Sequence, residues 1–179
     1  MTTAADDDNG IAVHDHPDGP IHVSFVCTGN ICRSPMAANI VAHALRDEGL
    51  ADAVRVTSAG TDGWHVGEPA DERAAAVLAR HGYPTDHRAA RVAAEHLAAD
   101  LLVPLAIGHD RQLAHLGVPN ERRRLLRSFD PDADTDSVAD PYYGDLDDFE
   151  TVRREVEAAL PGLVEWIRAR VEDRTPEHR

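Results

Sequence analysis

Val26-Cys27-Thr28-Gly29-Asn30-Ile31-Cys32-Arg33-Ser34-Pro35 stands between an apolar, strand-like run (Ile21 to Val26) and a helix-like run (Met36 to Leu50). Ser34 reads as the helix N-cap and Pro35 as its first helical residue. A short loop feeding a helix start can turn its backbone N–H groups inward, forming an anion cradle at the positive end of the helix dipole. A thiol in that cradle is acidified, because N–H groups that hold a phosphate also stabilise a thiolate. Arg33 adds a planar fork that can grip two phosphate oxygens. Cys27 and Arg33 together read as a nucleophile joined to a phosphate holder.

Other uses of these residues are blander. A free cysteine is commonly a small buried hydrophobe, and Ser-Pro is commonly only a helix start. Zinc would need two more ligands at sensible spacing, and only His14, His16 and His22 lie nearby. Neither metal nor cofactor is expected. A Walker-type nucleotide loop is excluded, since its lysine is missing. The chain has no lysine at all: its eighteen basic residues are arginines. That also removes Schiff-base chemistry.

The segment resembles the active-site loop of the low-molecular-weight protein tyrosine phosphatases, whose pattern runs Cys-x-x-Asn-x-Cys-Arg-Ser-Pro. Ser58-Ala59-Gly60-Thr61, Trp64-His65-Val66-Gly67, His81-Gly82, Asp140-Pro141-Tyr142-Tyr143-Gly144 and Asp148-Phe149-Glu150 match the same family in order. The resemblance covers about residues 20 to 170.

At 179 residues the chain fits one domain with a sizeable core. A net charge of −14 argues against nucleic acid or an anionic membrane as partner. Arg122-Arg123-Arg124, with Arg127 close behind, is the basic exception, expected as a solvated strand edge or loop. The only two cysteines both lie in the loop, so no disulfide framework is expected, which fits a reducing compartment. Residues 1–20 read as a disordered acidic tail without the basic and apolar regions of a signal peptide. A phosphatase domain is expected over 21–172 and a C-terminal tail over 173–179. No apolar run approaches membrane-spanning length. The expected setting is the cytoplasm, with export lacking a signal peptide left open, and the expected state is a monomer or weak dimer.

Strands are expected at Ile21–Val26, Val54–Ser58, Asp100–Leu105 and Leu125–Phe129, and helices at Pro35–Glu48, Ala70–His81, Val92–Ala99 and His109–Leu116. A last helix, Asp147 to about Val171, carries Phe149, Val152, Val156, Leu160, Leu163, Ile167 and Val171 at three-to-four spacing. Pro161 should kink or break it. Alternating strands and helices imply an α/β fold with a parallel sheet covered on both faces. The resemblance implies four strands in the order 2-1-3-4. In such sheets ligands bind at the carboxyl ends of the strands, where the order reverses, and Cys27 begins the loop at that reversal.

The resemblance assigns roles. Cys27 would attack phosphorus in line and give a cysteinyl-phosphate. The loop residues Thr28, Gly29, Asn30, Ile31 and Cys32, with Arg33, would hold the phosphate oxygens. Ser34 would bond the Cys27 sulfur. A phenolate, of pKa about 10, leaves poorly, so an acid must protonate it. Asp140 is the candidate: Pro141 keeps it extended, and Tyr142 and Tyr143, which no residue matches after Asp130-Pro131, supply an aromatic pocket wall. Asp140 would then serve as base for the hydrolytic water. Trp64 is placed on the opposite rim, with half-buried packing as its other reading. Ser58 and His87 match positions that bond Asn30 and brace the loop; the family's spacing after His87 is one residue longer here, which leaves a surface histidine as the second reading. Cys32 is close enough to trap an oxidised Cys27 as a disulfide, making the enzyme redox-sensitive.

The chain departs from the family at three points. Ala106 stands where the family has an aspartate that orders the active-site water, Pro104 interrupts the third strand, and Ala38 replaces a glutamate. The function implied is hydrolysis of phosphotyrosine proteins, with inorganic phosphate as product and a part in signalling. The alternative is a protein arginine phosphatase, which has threonine at the position of Ile31. An arsenate reductase, which needs more cysteines, and a non-catalytic phosphate-binding or redox module rank lower.

Overall fold

The computed structural model describes residues 19–175. Most of the two expected tails therefore lies outside the described residues.

Three parallel strands, β1 (Ile21–Cys27), β2 (Val54–Gly60) and β3 (Leu101–Pro104), form a sheet in the order β2-β1-β3. β1 is central, paired from Ile21↔Val54 to Cys27↔Gly60 on one side and from Val23↔Leu101 to Val26↔Pro104 on the other. Its side chains alternate between two cores. Ile21, Val23, Phe25 and Cys27 join the larger core, with helices α1 (Arg33–Asp47), α2 (Glu72–Arg80) and α5 (Leu146–Arg174). Val26 joins Leu102, Leu113 and Val118 in a smaller one on the other face, beside α3 (Ala94–Leu97) and α4 (Ile107–His115). Between the residues of the larger core, His22 and Ser24 turn to the other side and bond Thr57, so Ile21, Val23 and Phe25 mark the strand by their period of two.

The expected fourth strand is not formed. The chain there makes one parallel bridge, Leu102↔Arg123, with the Arg124 amide donating to the Leu102 carbonyl at 3.0 Å. Leu126–Phe129 then winds into a 3₁₀ turn. Leu126 and Phe129, three apart, both enter the core, which a turn of three residues allows and a strand of period two does not. Of the arginine run, expected as a solvated strand edge or loop, Arg124 is exposed in a loop, but the others are engaged. Arg123 pairs with Asp110 at 2.7 Å, Arg122 donates to the Leu97 and Ala99 carbonyls, and buried Arg127 meets Asp134 and Glu155.

The short sheet also accounts for Pro104. The Leu105 amide donates to Val26 of β1, while the Leu102 carbonyl faces outward to Arg124. Alternation turns the Pro104 nitrogen outward too, beyond the last bridge, so the missing donor breaks no ladder bond.

α5 begins at an Asp145–Asp148 capping box and runs unbroken through Pro161 to Arg174. A mid-helix proline costs about 3 kcal/mol. Burial of Leu163 and Ile167 beyond it contributes about 1.5–3 kcal/mol each, enough to hold the helix together. Ala159, rather than Leu160, completes the fully buried stripe. Among the described residues no helix is long and apolar enough to cross a membrane.

Candidate active site

The loop after β1 emerges at the carboxyl end of the central strand and enters α1 at Arg33. Asn30 is its keystone. Among the described non-glycine residues Asn30 alone has a left-handed backbone, at φ 57°, a conformation that asparagine tolerates better than most. Fully buried, its amide donates to Ser34 Oγ at 2.7 Å and Ser58 Oγ at 3.0 Å, and its Oδ1 accepts from the Ala90 amide at 2.9 Å. The Asn30 carbonyl lies 2.6 Å from His87 Nε2. A carbonyl can only accept, so Nε2 carries the proton. Burial lowers the His87 pKa, and this hydrogen bond offsets part of the effect. Ser58 and His87 thus both bond Asn30.

Ser34 is not the helix cap: α1 starts at Arg33, and no side chain caps it. Buried Ser34 instead sits 2.9 Å from Cys27 Sγ. Because Ser34 Oγ already accepts from Asn30, its own proton is free to donate to the sulfur. Gly60, at the end of β2, lies against this loop: a Cβ there would come 2.6 Å from the Thr28 carbonyl and 3.2 Å from the Asn30 amide. Only glycine lets the two strands' ends close.

Arg33, largely buried, donates to the Val138 carbonyl at 3.0 Å and meets the Asp140 carboxylate at 3.7 Å. The segment carrying Asp140 is anchored to the end of β3 by Val138 N to Leu105 O at 2.8 Å. Asp140 itself is half exposed and accepts from the Tyr142 amide at 3.1 Å. The rival Asp130 accepts from the Asp132 amide and takes no part in the cavity.

A cavity of about 250 Å³ joins these parts. Cys27, Thr28, Ile31 and Arg33 line it together with Trp64, Asp140, Tyr142 and Tyr143. Trp64 is 86% exposed and Tyr143 93% exposed, which removes the packing reading of Trp64. The two tyrosine rings meet edge to face at 4.9 Å. Cys32 is buried, and its thiol pKa is pushed up to about 12, first by burial and then by the charges of Asp71 and Cys27. At neutral pH it is a protonated thiol.

Sequence reasoning passed over several residues. Asp62 and His65 line the cavity. Buried His109 lies 2.9 Å from Thr28 Oγ1; burial, then the positive charge of Arg33, lowers its pKa to about 4 despite Asp140, so the ring is neutral. Asp71 and Arg73, at the start of α2, connect the loop to the Asp140 segment. A helix-start pattern at Asp71 was there to be read; its connection was not.

The chain matches the family described as low molecular weight phosphotyrosine protein phosphatase over residues 22–173. It is 62% identical over 154 residues to the low molecular weight protein-tyrosine phosphatase A of Mycobacterium tuberculosis, covering 85% of this chain and 94% of that one. It is similar to the crystal structure of a protein tyrosine phosphatase from Entamoeba histolytica, with a TM-score of 0.79 at 27% identity over 83% of this chain and 97% of the other. It also resembles the YwlE arginine phosphatase from Geobacillus stearothermophilus, with a TM-score of 0.75 at 28% identity over 89% and 100% of the two chains.

Proposed function

Since the chain belongs to the low molecular weight phosphotyrosine protein phosphatase family, we propose that it hydrolyses phosphotyrosine in proteins through a cysteinyl-phosphate on Cys27. One observation carries this reading: Cys27, Arg33 and Asp140 converge on one cavity walled by Trp64, Tyr142 and Tyr143.

The phosphate sits on the backbone amides of the loop, with two of its oxygens on the Arg33 guanidinium. The aryl ring lies between Trp64 and the tyrosines. The Cys27 thiolate attacks phosphorus as the P–O bond breaks, and Asp140 gives its proton to the departing tyrosine oxygen. Asp140, now ionised, takes a proton from water, whose oxygen attacks the phosphocysteine. The P–S bond breaks, releasing inorganic phosphate and returning the thiolate, which the Ser34 hydroxyl stabilises. His109, neutral and bonded to Thr28, steadies the loop. Two free cysteines fit work in the reducing cytoplasm.

Hydrolysis of phosphotyrosine peptides by the wild type beside Cys27→Ser tests the reading. Turnover should fall by about 10⁴-fold or more in the variant; retention of activity would overturn it. The arginine-phosphatase reading draws on the similarity to the YwlE enzyme. Against it, Ile31, which lines the cavity, is an apolar, branched side chain suited to a flat ring. Matched phosphotyrosine and phosphoarginine peptides decide between them, and Ile31→Thr should move the kcat/KM ratio toward phosphoarginine.

A further inference from the structure

Arg73, the second residue of α2, uses its guanidinium outside the catalytic groups. One Nη donates to the Tyr142 carbonyl at 2.9 Å and the other to the Gly144 carbonyl at 3.0 Å. Nε and Nη2 also grip the two oxygens of Asp71 at 3.0 and 3.1 Å. The same plane lies over the Phe149 ring at 4.5 Å and reaches the Tyr142 ring at 5.8 Å. Asp71 caps α2 by accepting from the Arg73 amide at 2.9 Å, and its own amide donates to the Ile31 carbonyl of the nucleophile loop at 2.8 Å. Burial disfavours the Asp71 carboxylate, but the bonds and charge of Arg73 outweigh it and hold its pKa below the usual value.

The chain of contacts runs from Ile31, through Asp71 and Arg73, to two carbonyls just beyond Asp140. On the near side of Asp140, Arg33 holds the Val138 carbonyl. Two arginines, each from the start of a helix, therefore pin both flanks of a half-exposed carboxyl. Serving two carbonyls and a carboxylate from one plane takes four of the five donors of a guanidinium.

We propose that Arg73 is a positioning residue that sets the Asp140 segment over the nucleophile loop and acts on the reaction through Asp140. The proposal rests on Asp140 being the general acid. A displacement of about 1 Å in a reacting group can cost about 10²-fold in rate. The effect must be confined to steps that need the acid.

The test is kcat/KM on a series of aryl phosphates of rising leaving-group pKa, for wild type, Arg73→Met, Asp140→Asn and the double variant. Arg73→Met should lose about 10²-fold on phosphotyrosine and progressively less on activated esters. Near-normal turnover of the activated esters also shows that the variant is folded. The double variant should be slower than Asp140→Asn by no more than about twofold, as for two groups acting through one path. Arg73→Lys should recover little, because an ammonium cannot span the three acceptors. Equal loss across the series, losses that multiply in the double variant, or full recovery by Arg73→Lys would each overturn the proposal. If Asp140→Asn itself shows no dependence on leaving group, the general-acid reading fails instead.

Discussion

The nucleophile loop and the acid segment face each other across one cavity but are built on opposite principles. Asn30 and Ser34 are fully buried and bonded to each other, and Ser58, Ala90 and His87 brace Asn30 from outside the loop. The acid segment is surface: Asp140 is half exposed and Tyr143 almost wholly so, held by backbone carbonyls given to Arg33 and Arg73. The difference follows from the chemistry. A phosphate cradle works by having its donors fixed before charge develops, so its order is stored in the fold. The acid must reach a leaving group that arrives with the substrate, so it stands at the rim.

If that contrast holds, acid-segment variants should lose rate without losing stability. Asp140→Asn should slow phosphotyrosine hydrolysis by about 10²- to 10⁴-fold and leave the unfolding free energy within about 0.5 kcal/mol of wild type, as for other surface changes. Asp130→Asn should do little to either. Steady-state kinetics and chemical denaturation together check this, and a larger kinetic loss from Asp130→Asn would misplace the acid.

Variants of the nucleophile loop should lose both. Asn30→Ala removes three side-chain bonds and strands the half-buried Ala90 amide, at about 1–3 kcal/mol. It also puts alanine in a left-handed conformation, for a total expected near 3 kcal/mol. Denaturant midpoints should fall together with kcat. A variant as stable as wild type would show that the loop is not held by its asparagine.

The same contrast extends to pH. His109, against the loop, and His22, at the far end of β1, both have pKa values lowered to about 4, in each case chiefly by burial. An unfolded histidine titrates near 6.5. Below that, the unfolded chain binds protons that the folded one refuses, so stability is full above pH 6.5 and falls as the pH drops toward 4. His109→Asn, which keeps a donor for Thr28, should remove up to roughly 3 kcal/mol of that acid-side loss. Unfolding free energies at pH 7 and pH 4.5 measure it, and an unchanged slope would mean that His109 is charged in the folded protein.

The smallest effect is expected at the rim. Tyr143→Ala should leave stability unchanged and lower kcat/KM on phosphotyrosine peptides by about three- to tenfold, the scale of one aromatic pair. A fall in melting temperature would instead assign the ring a packing role.

Legibility in the sequence followed locality. The loop, β1, α1 and α5 were readable because each is specified by neighbours: an alternating apolar strand, a Cys–Arg spacing, an apolar stripe at three-to-four spacing. The fourth strand was misread because Leu125 to Phe129 suits a strand by composition, while the core takes Leu126 and Phe129 three residues apart. Ser34 looked like a cap because serine before proline is a helix-start pattern, yet its hydroxyl is used by Asn30 and Cys27.

By itself the sequence picked out Cys27 and Arg33 as the proposed nucleophile and phosphate holder and determined the α/β plan, because these lie within one loop or follow from periodicity along one element. Only the tertiary structure decided that Arg33 holds the Val138 carbonyl, that His109 meets Thr28, and that Arg73 grips the far flank of the acid segment. Those pairings join residues about 70 to 110 positions apart, where no local spacing rule applies. They are fixed by sheet order and helix packing, which bring the ends of β1 and β3 and the starts of α1 and α2 to one place.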